Sequence, residues 1–481
     1  MGTRRALFFS FLDRYSALAL SILSSMVIAR LLTPADIGVF SVTMVLVAFA
    51  NSLRDLGAGQ YLVQERDLNA TRIRAVWTVL LGTGLLMAVI VSVAAYPVSK
   101  FYREPRMALI MGVVAVNFVV NPFGSMTYAW LIREMSFQRL AVMRFFSSLA
   151  GAVASVILAW QDFGPLSLAL GNLAATCVNA AIGAWFRPAH FSWLPGRHEL
   201  RRVLKFGGTT SATNIIWDFA IGAPELLLGR LQTLGAAGYY SRANGLTMMF
   251  QRLVLDATNA VAMPLFAREH RQGGNTSASF LRATSYVTAL GWSFFIGLAL
   301  MAGPTVRVLY GDQWDFSARI TQVLAIGMCI ALPAAMCQTL LLALGRVATI
   351  MRTTAFLVPV QVACIAVGAT SGALQAAVGF AVAQIVAVSA WLLVTRSAIG
   401  FEFQGLLRVL ARSAALALLV AIVPAASLAA STYWKPLGNL AQVSLVFALS
   451  LPVFVGAVRL LGHPFAAEVN LALAKVFGPK G

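Results

Sequence analysis

Charge is scarce in this sequence. Of its 481 residues, 11% are Asp, Glu, Lys or Arg and 59% are hydrophobic. A soluble domain carries about 25% charged residues, so a water-soluble globular protein is excluded. Acidic residues are the scarcer sign, with 17 Asp and Glu against 36 Lys and Arg. Cysteine is nearly missing as well. Cys177, Cys329, Cys337 and Cys364 all fall inside apolar runs. None has a C-x-x-C spacing, so no disulfide framework or zinc module is implied. No G-x-x-x-x-G-K-[ST] occurs, which excludes nucleotide hydrolysis through a P-loop. No H-E-x-x-H occurs, and His190, His198, His270 and His463 lie too far apart in sequence to suggest a metal site. No catalytic residue, metal or cofactor is expected. The longest loop expected outside, around Leu309–Ser317, is too short for a catalytic domain. Energy for any work must come from an ion gradient, the membrane potential or the substrate's own gradient.

What is present is a series of long apolar runs. They cover roughly residues 9–32, 35–53, 75–97, 107–131, 141–160, 165–186, 204–229, 235–264, 280–302, 318–343, 347–369, 374–395, 406–430 and 438–461. A membrane helix takes about 20 apolar residues. Lipid leaves no partner for open backbone groups, and runs this long do not suit a barrel. The expected fold is an all-α polytopic membrane protein with about 14 transmembrane helices. The N-terminus opens like a signal peptide with Arg4 and Arg5, but Asp13 and Arg14 interrupt the apolar stretch early. It reads as a first membrane helix. With both termini placed in the cytoplasm, 26 of the 36 Lys and Arg fall on inner loops and helix ends and 8 fall outside. Arg242 and Arg252 remain inside the eighth run. This is positive-inside topology, so the net charge of +19 does not indicate nucleic-acid binding.

The chain also repeats itself. "ARLLTPADIGVFS" (Ala29–Ser41) returns 200 residues later within "GRLQTLGAAGYYS" (Gly229–Ser241), with Arg30, Leu31, Thr33, Gly38 and Ser41 matched by Arg230, Leu231, Thr233, Gly238 and Ser241. Six helices separate the copies, so the copies share one orientation. This predicts two parallel six-helix lobes related by an axis along the membrane normal: residues 1–203 with helices 1–6, and residues 204–400 with helices 7–12. Residues 401–481 form a helix pair and a cytoplasmic tail. Arg30 and Arg230 either snorkel to headgroups or line a cavity.

Ionisable groups inside the runs mark the candidate site. A charge at mid-bilayer costs about 2.5–3.5 kcal/mol on insertion scales. Asp218, Glu225, Arg242, Arg252 and Asp256 facing lipid would together cost on the order of 10–15 kcal/mol. They are expected to face protein or a wet cavity. Ser211, Asn214, Asp218 and Glu225 share one helical stripe, as do Ser241, Gly245, Arg252, Asp256 and Asn259. Arg14 and Arg54 mark the polar ends of the first two runs, and Pro224 beside Glu225 frees a backbone carbonyl. Two readings stand for Arg252 and Asp256. In one they neutralise each other at i,i+4. In the other the arginines meet an anionic substrate while Asp218 and Glu225 bind a proton or cation that drives transport. Arginine suits phosphate because its planar fork stays charged and bonds in pairs.

"ARLLTPADIGVFSVTMVLVAFANSLRDLGAGQYLVQERDL" (Ala29–Leu68) resembles the first helical hairpin of Wzx-like polysaccharide and O-antigen flippases. "PELLLGRLQTLGAAGYYSRANGL" (Pro224–Leu246) resembles their second-half hairpin. These belong to the polysaccharide transporter branch of the multidrug/oligosaccharidyl-lipid/polysaccharide exporter superfamily. The resemblance implies two six-helix lobes around a cavity that rock between inward-open and outward-open states in the bacterial inner membrane. It implies an undecaprenyl-pyrophosphate-linked oligosaccharide as cargo, besides contacts with membrane lipids, polysaccharide polymerase and chain-length machinery. Under it, Arg14, Arg54, Arg242 and Arg252 are the candidate substrate-binding residues. Asp218, Glu225 and Asp256 are candidates for ion coupling or structural pairing. The alternatives are a drug/cation antiporter of the same superfamily and a membrane-embedded glycan polymerase or ligase.

The charge tally makes one direct prediction. A fluorescent protein fused to the C-terminus should fluoresce and an alkaline phosphatase fusion there should be inactive. An active phosphatase fusion would reverse the orientation.

Overall fold

A computed structural model gives the fold. It describes residues 19–55, 57–65, 67–189, 191, 194–196, 199–200, 218–433 and 438–477, and among them there is no strand. The helices are α1 (Ala19–Leu31), α2 (Pro34–Asp55), α3 (Ala58–Gln64), α4 (Ala70–Tyr102), α5 (Arg106–Arg133), α6 (Phe137–Trp160) and α7 (Leu166–Phe186). Then come α8 (218–231), α9 (Leu234–Phe250), α10 (Asp256–Arg271), α11 (Thr276–Leu300), α12 (Ala302–Tyr310), α13 (Asp315–Ala331) and α14 (Cys337–Ala343). The last are α15 (Val347–Ala369), α16 (Ala373–Ile399), α17 (Phe403–Tyr433), α18 (Asn439–Leu460) and α19 (Ala466–Phe477).

Among the described residues, 11 helical stretches are long and apolar enough to cross a membrane. The other three expected runs coincide with the short apolar α1, with α8, and with the polar stretch α9–α10. A π-turn at Gln251–Leu255 joins α9 to α10. The chain divides into two compact units, Met1–Gly238 and Tyr239–Gly481.

In the first unit, α5 packs on α4 and α7, and α6 packs on α7. The repeated hairpin shows how a helix is started here. Thr33 precedes α2, Pro34 takes its first position, and Asp36 the third. The Thr33 N–H and hydroxyl both donate to Asp36 Oδ2, at 3.2 and 2.6 Å, and the Asp36 N–H donates back to Thr33 Oγ1 at 3.2 Å. This reciprocal cap satisfies donors a helix start otherwise leaves open. Asp36 also accepts from Arg106 Nη1 at 2.7 Å. Arg106 Nε bonds Glu104 at 2.9 Å, which holds that carboxyl below the usual carboxylate range. In the second copy Thr233 Oγ1 still accepts from the Ala236 N–H, at 3.1 Å, but the carboxylate is gone.

The two copies of the hairpin touch each other. A Cβ built on Gly38 would overlap the carbonyl oxygen of Leu234, and one built on Gly238 would overlap that of Pro34. Each residue meets the other's counterpart at the 200-residue offset, so the contact is self-complementary, as at a two-fold axis. Only glycine lets two helix backbones come this close. From this crossing, α2 and α8 run antiparallel. Val42 lies against Gly229, Val45 against Gly222 and Phe49 against Phe219, the last with ring centroids 6.1 Å apart. The same device recurs at Gly124 and Gly183 between α5 and α7, and at Gly151 and Gly171 between α6 and α7.

In the second unit, Phe250, Phe280, Phe295, Trp391 and Phe401 anchor a core around α11. The expected C-terminal helix pair is α17 and α18, and it docks on α11 through Ala289, Leu416, Val420, Phe454 and Val458. A buried polar node seals this contact. His463 Nε2 lies 3.1 Å from Ser285 Oγ and 3.3 Å from Ser413 Oγ, and Nδ1 accepts from the Phe465 N–H at 3.2 Å. Burial and the charge of Arg412 push the His463 pKa down, so the ring is held neutral.

The glycine crossing predicts a steep local cost. Gly38→Ala and Gly238→Ala should each destabilise by more than about 3 kcal/mol, beyond ordinary overpacking. Gly245→Ala, in α9 with open space around it, should be neutral or stabilising by up to about 1 kcal/mol. Thermal unfolding of purified protein in detergent checks this, and equal melting temperatures for all three would remove the close approach.

Candidate functional site

Arg14 lies outside the described residues. Of the other expected site residues, Arg54, Asp218 and Glu225 belong to the first unit, and Arg242, Arg252 and Asp256 to the second.

Asp218 stands where α8 meets the end of α2, and its Oδ2 accepts a hydrogen bond from the Ser52 hydroxyl. Glu225, two turns further along α8, is buried. Five residues beyond it, Arg230 lies over the Phe101 ring at 4.9 Å, a cation–π contact. Arg54 ends α2 with its guanidinium carbon 5.9 Å from the Phe118 ring centroid. The sequence of α2 brings Ser52 and Arg54 to one end of the helix, so a guanidinium and the Asp218 carboxylate share that end of the unit.

Arg242 has an aromatic seat. Its guanidinium carbon lies 5.3 Å from the Tyr310 ring and 5.6 Å from the Trp314 ring. Trp314 is fully buried and is braced edge-on by Tyr239 at 5.8 Å. Arg252 lies in the π-turn and is exposed, as is Asp256. Asp256 Oδ1 accepts from Gln251 Nε2 at 3.1 Å. Ten residues of helix separate Arg242 from Arg252, about 15 Å along the axis, so the two charges sit at different depths. Asn259 Oδ1 accepts from Thr339 at 2.7 Å, which fixes the helix just after the π-turn. A π-turn inside a helix recurs at functional positions.

Sequence reasoning missed a polar cavity in the first unit, about 330 Å³ in volume, with Arg54 on its wall. From α5 come Asn121, Ser125 and Tyr128. These share one helical face with Asn117, whose amide donates to Asn172 Oδ1 at 3.3 Å. From α6 come Ser147 and Ser148, and from α7 Thr176 and Asn179. The signal was there as Asn, Ser and Thr recurring three or four residues apart on two apolar runs, Asn117–Asn121–Ser125 and Asn172–Thr176–Asn179, but each run carries only a few such residues. Among the described residues, no carboxylate lines the cavity. Those residues can present the positive charge of Arg54 and several hydrogen-bonding groups to a polar ligand. Among the described residues, no three His, Cys, Asp or Glu gather in a way that would hold a metal ion.

A model of the family described as "Polysaccharide biosynthesis protein" matches residues 27–319, more than half of the chain. The chain belongs to this family. Lipopolysaccharide biosynthesis protein WzxC of Escherichia coli (strain K12) is 23% identical over 376 residues, 77% of this chain and 76% of that protein. Succinoglycan biosynthesis transport protein ExoT of Rhizobium meliloti (strain 1021) is 26% identical over 369 residues, 76% and 74% of the two chains. Among solved structures, the lipid II flippase MurJ in an inward closed conformation superposes with a TM-score of 0.76 at 11% identity. The match covers 95% of this chain and 100% of that one. An inward-facing multidrug resistance MATE family transporter gives 0.63 at 15% identity, over 81% and 98%. These likenesses establish a MurJ- and MATE-like helical fold for this polysaccharide biosynthesis family member. The resemblance drawn from the two hairpins agrees with the family match, the long apolar helices make the chain a multi-pass membrane protein, and one of its relatives is named as a transport protein.

The aromatic seat predicts a measurable coupling. In a double-mutant cycle, Arg242→Met and Trp314→Leu should couple by about 0.5–2 kcal/mol, read as thermal stability in detergent. Strict additivity would mean that the ring does not hold the guanidinium.

Proposed function

We propose that this protein flips an undecaprenyl-pyrophosphate-linked oligosaccharide repeat unit across the bacterial inner membrane by alternating access, for exopolysaccharide, capsule or O-antigen synthesis. The observation that carries the reading is the cavity beside Arg54, lined among the described residues by hydroxyl and amide groups and by no carboxylate, within a chain of the polysaccharide biosynthesis family. A cationic drug needs acidic lining groups, so this cavity speaks against the antiporter alternative. A diphosphate needs a permanent cation with paired donors, which a guanidinium supplies.

In this reading about 14 membrane helices form lobes 1–203 and 204–400, with 401–481 as the added helix pair and tail, and both termini lie in the cytoplasm. Arg14, Arg54, Arg242 and Arg252 supply positive charge along the route. Asp218, Glu225 and Asp256 serve ion coupling or structural pairing. The protein carries out transport and no bond-making step. It hands its cargo to polysaccharide polymerase and chain-length machinery.

In a deletion strain complemented with variants, Arg54→Ala and Arg252→Ala should each lower surface polysaccharide by about tenfold or more while the protein inserts normally. Single lipid-linked repeat units should build up on the inner face. Full export by both variants would remove the arginines from the mechanism. Units that reach the outer face unpolymerised would favour a polymerase instead.

A further inference from the structure

Where α18 ends, the chain turns a tight corner at residues 461–466 and starts α19. Gly462 takes a left-handed φ of 53°. The His463 N–H donates to Val458 O at 3.0 Å and the Gly462 N–H to Arg459 O at 3.2 Å, which closes the helix end as a Schellman motif. This places the His463 side chain, 1% exposed, between Ser285 of α11 and Ser413 of α17, both buried as well. The bonds around the ring fix its proton. The Ser413 hydroxyl donates to Ser285 O at 3.3 Å and accepts from the Thr288 hydroxyl at 2.9 Å, so toward the ring it can only accept. Nε2 therefore carries the hydrogen, shared between Ser285 Oγ at 3.1 Å and Ser413 Oγ at 3.3 Å. Nδ1 is left bare and accepts the Phe465 N–H at 3.2 Å, closing the corner in the manner of an Asx-turn.

Every bond of the ring is thus spent on its neutral form. A second proton can enter only at Nδ1, where it would point at the Phe465 N–H, donor against donor, in a buried site. Four charged groups stand around the corner. Arg412 of α17 acts directly on the ring and, together with burial, holds its pKa down. Arg282 of α11 and Glu468 of α19 lie near the Tyr286 ring. Arg459 of α18 donates to Asn470 Oδ1 at 3.0 and 3.1 Å. Among the described residues no carboxylate bonds the imidazole, so a charged ring would meet Arg412 with nothing to offset it. The remaining contacts of the corner need it closed. The Tyr286 hydroxyl donates to Pro464 O at 3.4 Å. Phe465 packs edge-on to Tyr286 at 5.1 Å and to Phe454 at 6.0 Å.

We propose that His463 is an acid-released latch: protonation at Nδ1 breaks its bond to the Phe465 N–H and frees the corner at residues 461–466, with the start of α19, from α11 and α17. The apolar contact of Phe454 and Val458 with Ala289 and Leu416 does not titrate and keeps α18 in place, so the release is local. An imidazole in water takes its proton near pH ~6.5, and the latched ring takes it at a lower pH. The open corner therefore binds the proton more readily. Closure keeps its full advantage above pH ~6.5 and loses it as the pH falls from there toward the latched ring's own pKa. The latch acts on helix docking and is independent of which cargo the protein moves.

Hydrogen–deuterium exchange of the purified full chain in nanodiscs, at about pH 7.5 and about pH 5.5 on either side of the free imidazole value, tests the latch. After correction for the intrinsic rate at each pH, opening at residues 465–471 should rise about threefold or more on acidification, within the roughly tenfold per pH unit that one proton allows. The amides of α15, a helix without His, Asp or Glu, should show no such rise. His463→Asn keeps an acceptor for the Phe465 N–H, and His463→Gln keeps an amide that reaches toward the serine hydroxyls. Neither titrates, so in both the corrected exchange of residues 465–471 should be the same at the two pH values. Melting temperatures report whether each variant is folded. A rise in the native protein no larger at residues 465–471 than in α15 overturns the latch, whatever the variants do. So does the full rise retained in either folded variant, which would assign the proton to Glu468 instead.

Discussion

Helices in this protein meet where a side chain is missing. Lipid tails are as apolar as leucine, so burying leucine between helices gains little, and close backbone packing must hold the bundle. Gly38 and Gly238 show this in its most direct form, each leaving room for a carbonyl oxygen of the facing helix. Gly124, Gly151, Gly171 and Gly183 do the same where α5, α6 and α7 cross, and Gly368 and Gly379 where α15 meets α16. Those crossings decide which faces of the helices look at one another, and so which polar groups end up together.

The first unit's cavity is a consequence of that packing. α7 comes close to α5 at Gly124 and to α6 at Gly151, and the amides and hydroxyls that flank these glycines are drawn onto one wall. In the second unit the same scarcity of charge is resolved differently. Arg242 is met by the faces of Tyr310 and Trp314, whose π-systems attract its charge. Arg54 borders the Phe118 ring and a set of hydrogen-bonding groups while Arg242 lies against two rings, so two arginines that read alike in sequence occupy unlike surroundings.

The duplicated hairpin separates what geometry required from what it did not. Thr33 and Thr233 both cap their helices, and both glycines are kept at the self-complementary contact. Asp36 is replaced by Ala236, and with it the ion pair to Arg106 has no counterpart in the second copy. A backbone crossing tolerates no substitution at the glycine, whereas a cap retains most of its value with one of its two reciprocal bonds.

The amino-acid sequence by itself determined the class of the protein. Long apolar runs, positive charge sorted to one side and a repeat at a 200-residue offset are one-dimensional facts, because lipid thickness and charge bias act on segments one at a time. It also marked Asp218, Glu225 and Arg242 as groups in need of partners, since the cost of a charge in lipid depends only on its place in a run. Tertiary structure alone decided who those partners are. Ser52 stands 166 residues from Asp218, and Tyr310 and Trp314 lie far along the chain from Arg242, at distances no helical periodicity reports. The cavity was hidden for the same reason. Asn121, Ser148 and Asn179 are each an unremarkable polar residue on an apolar helix, and they line one cavity only because three helices cross at glycines that bring those faces together.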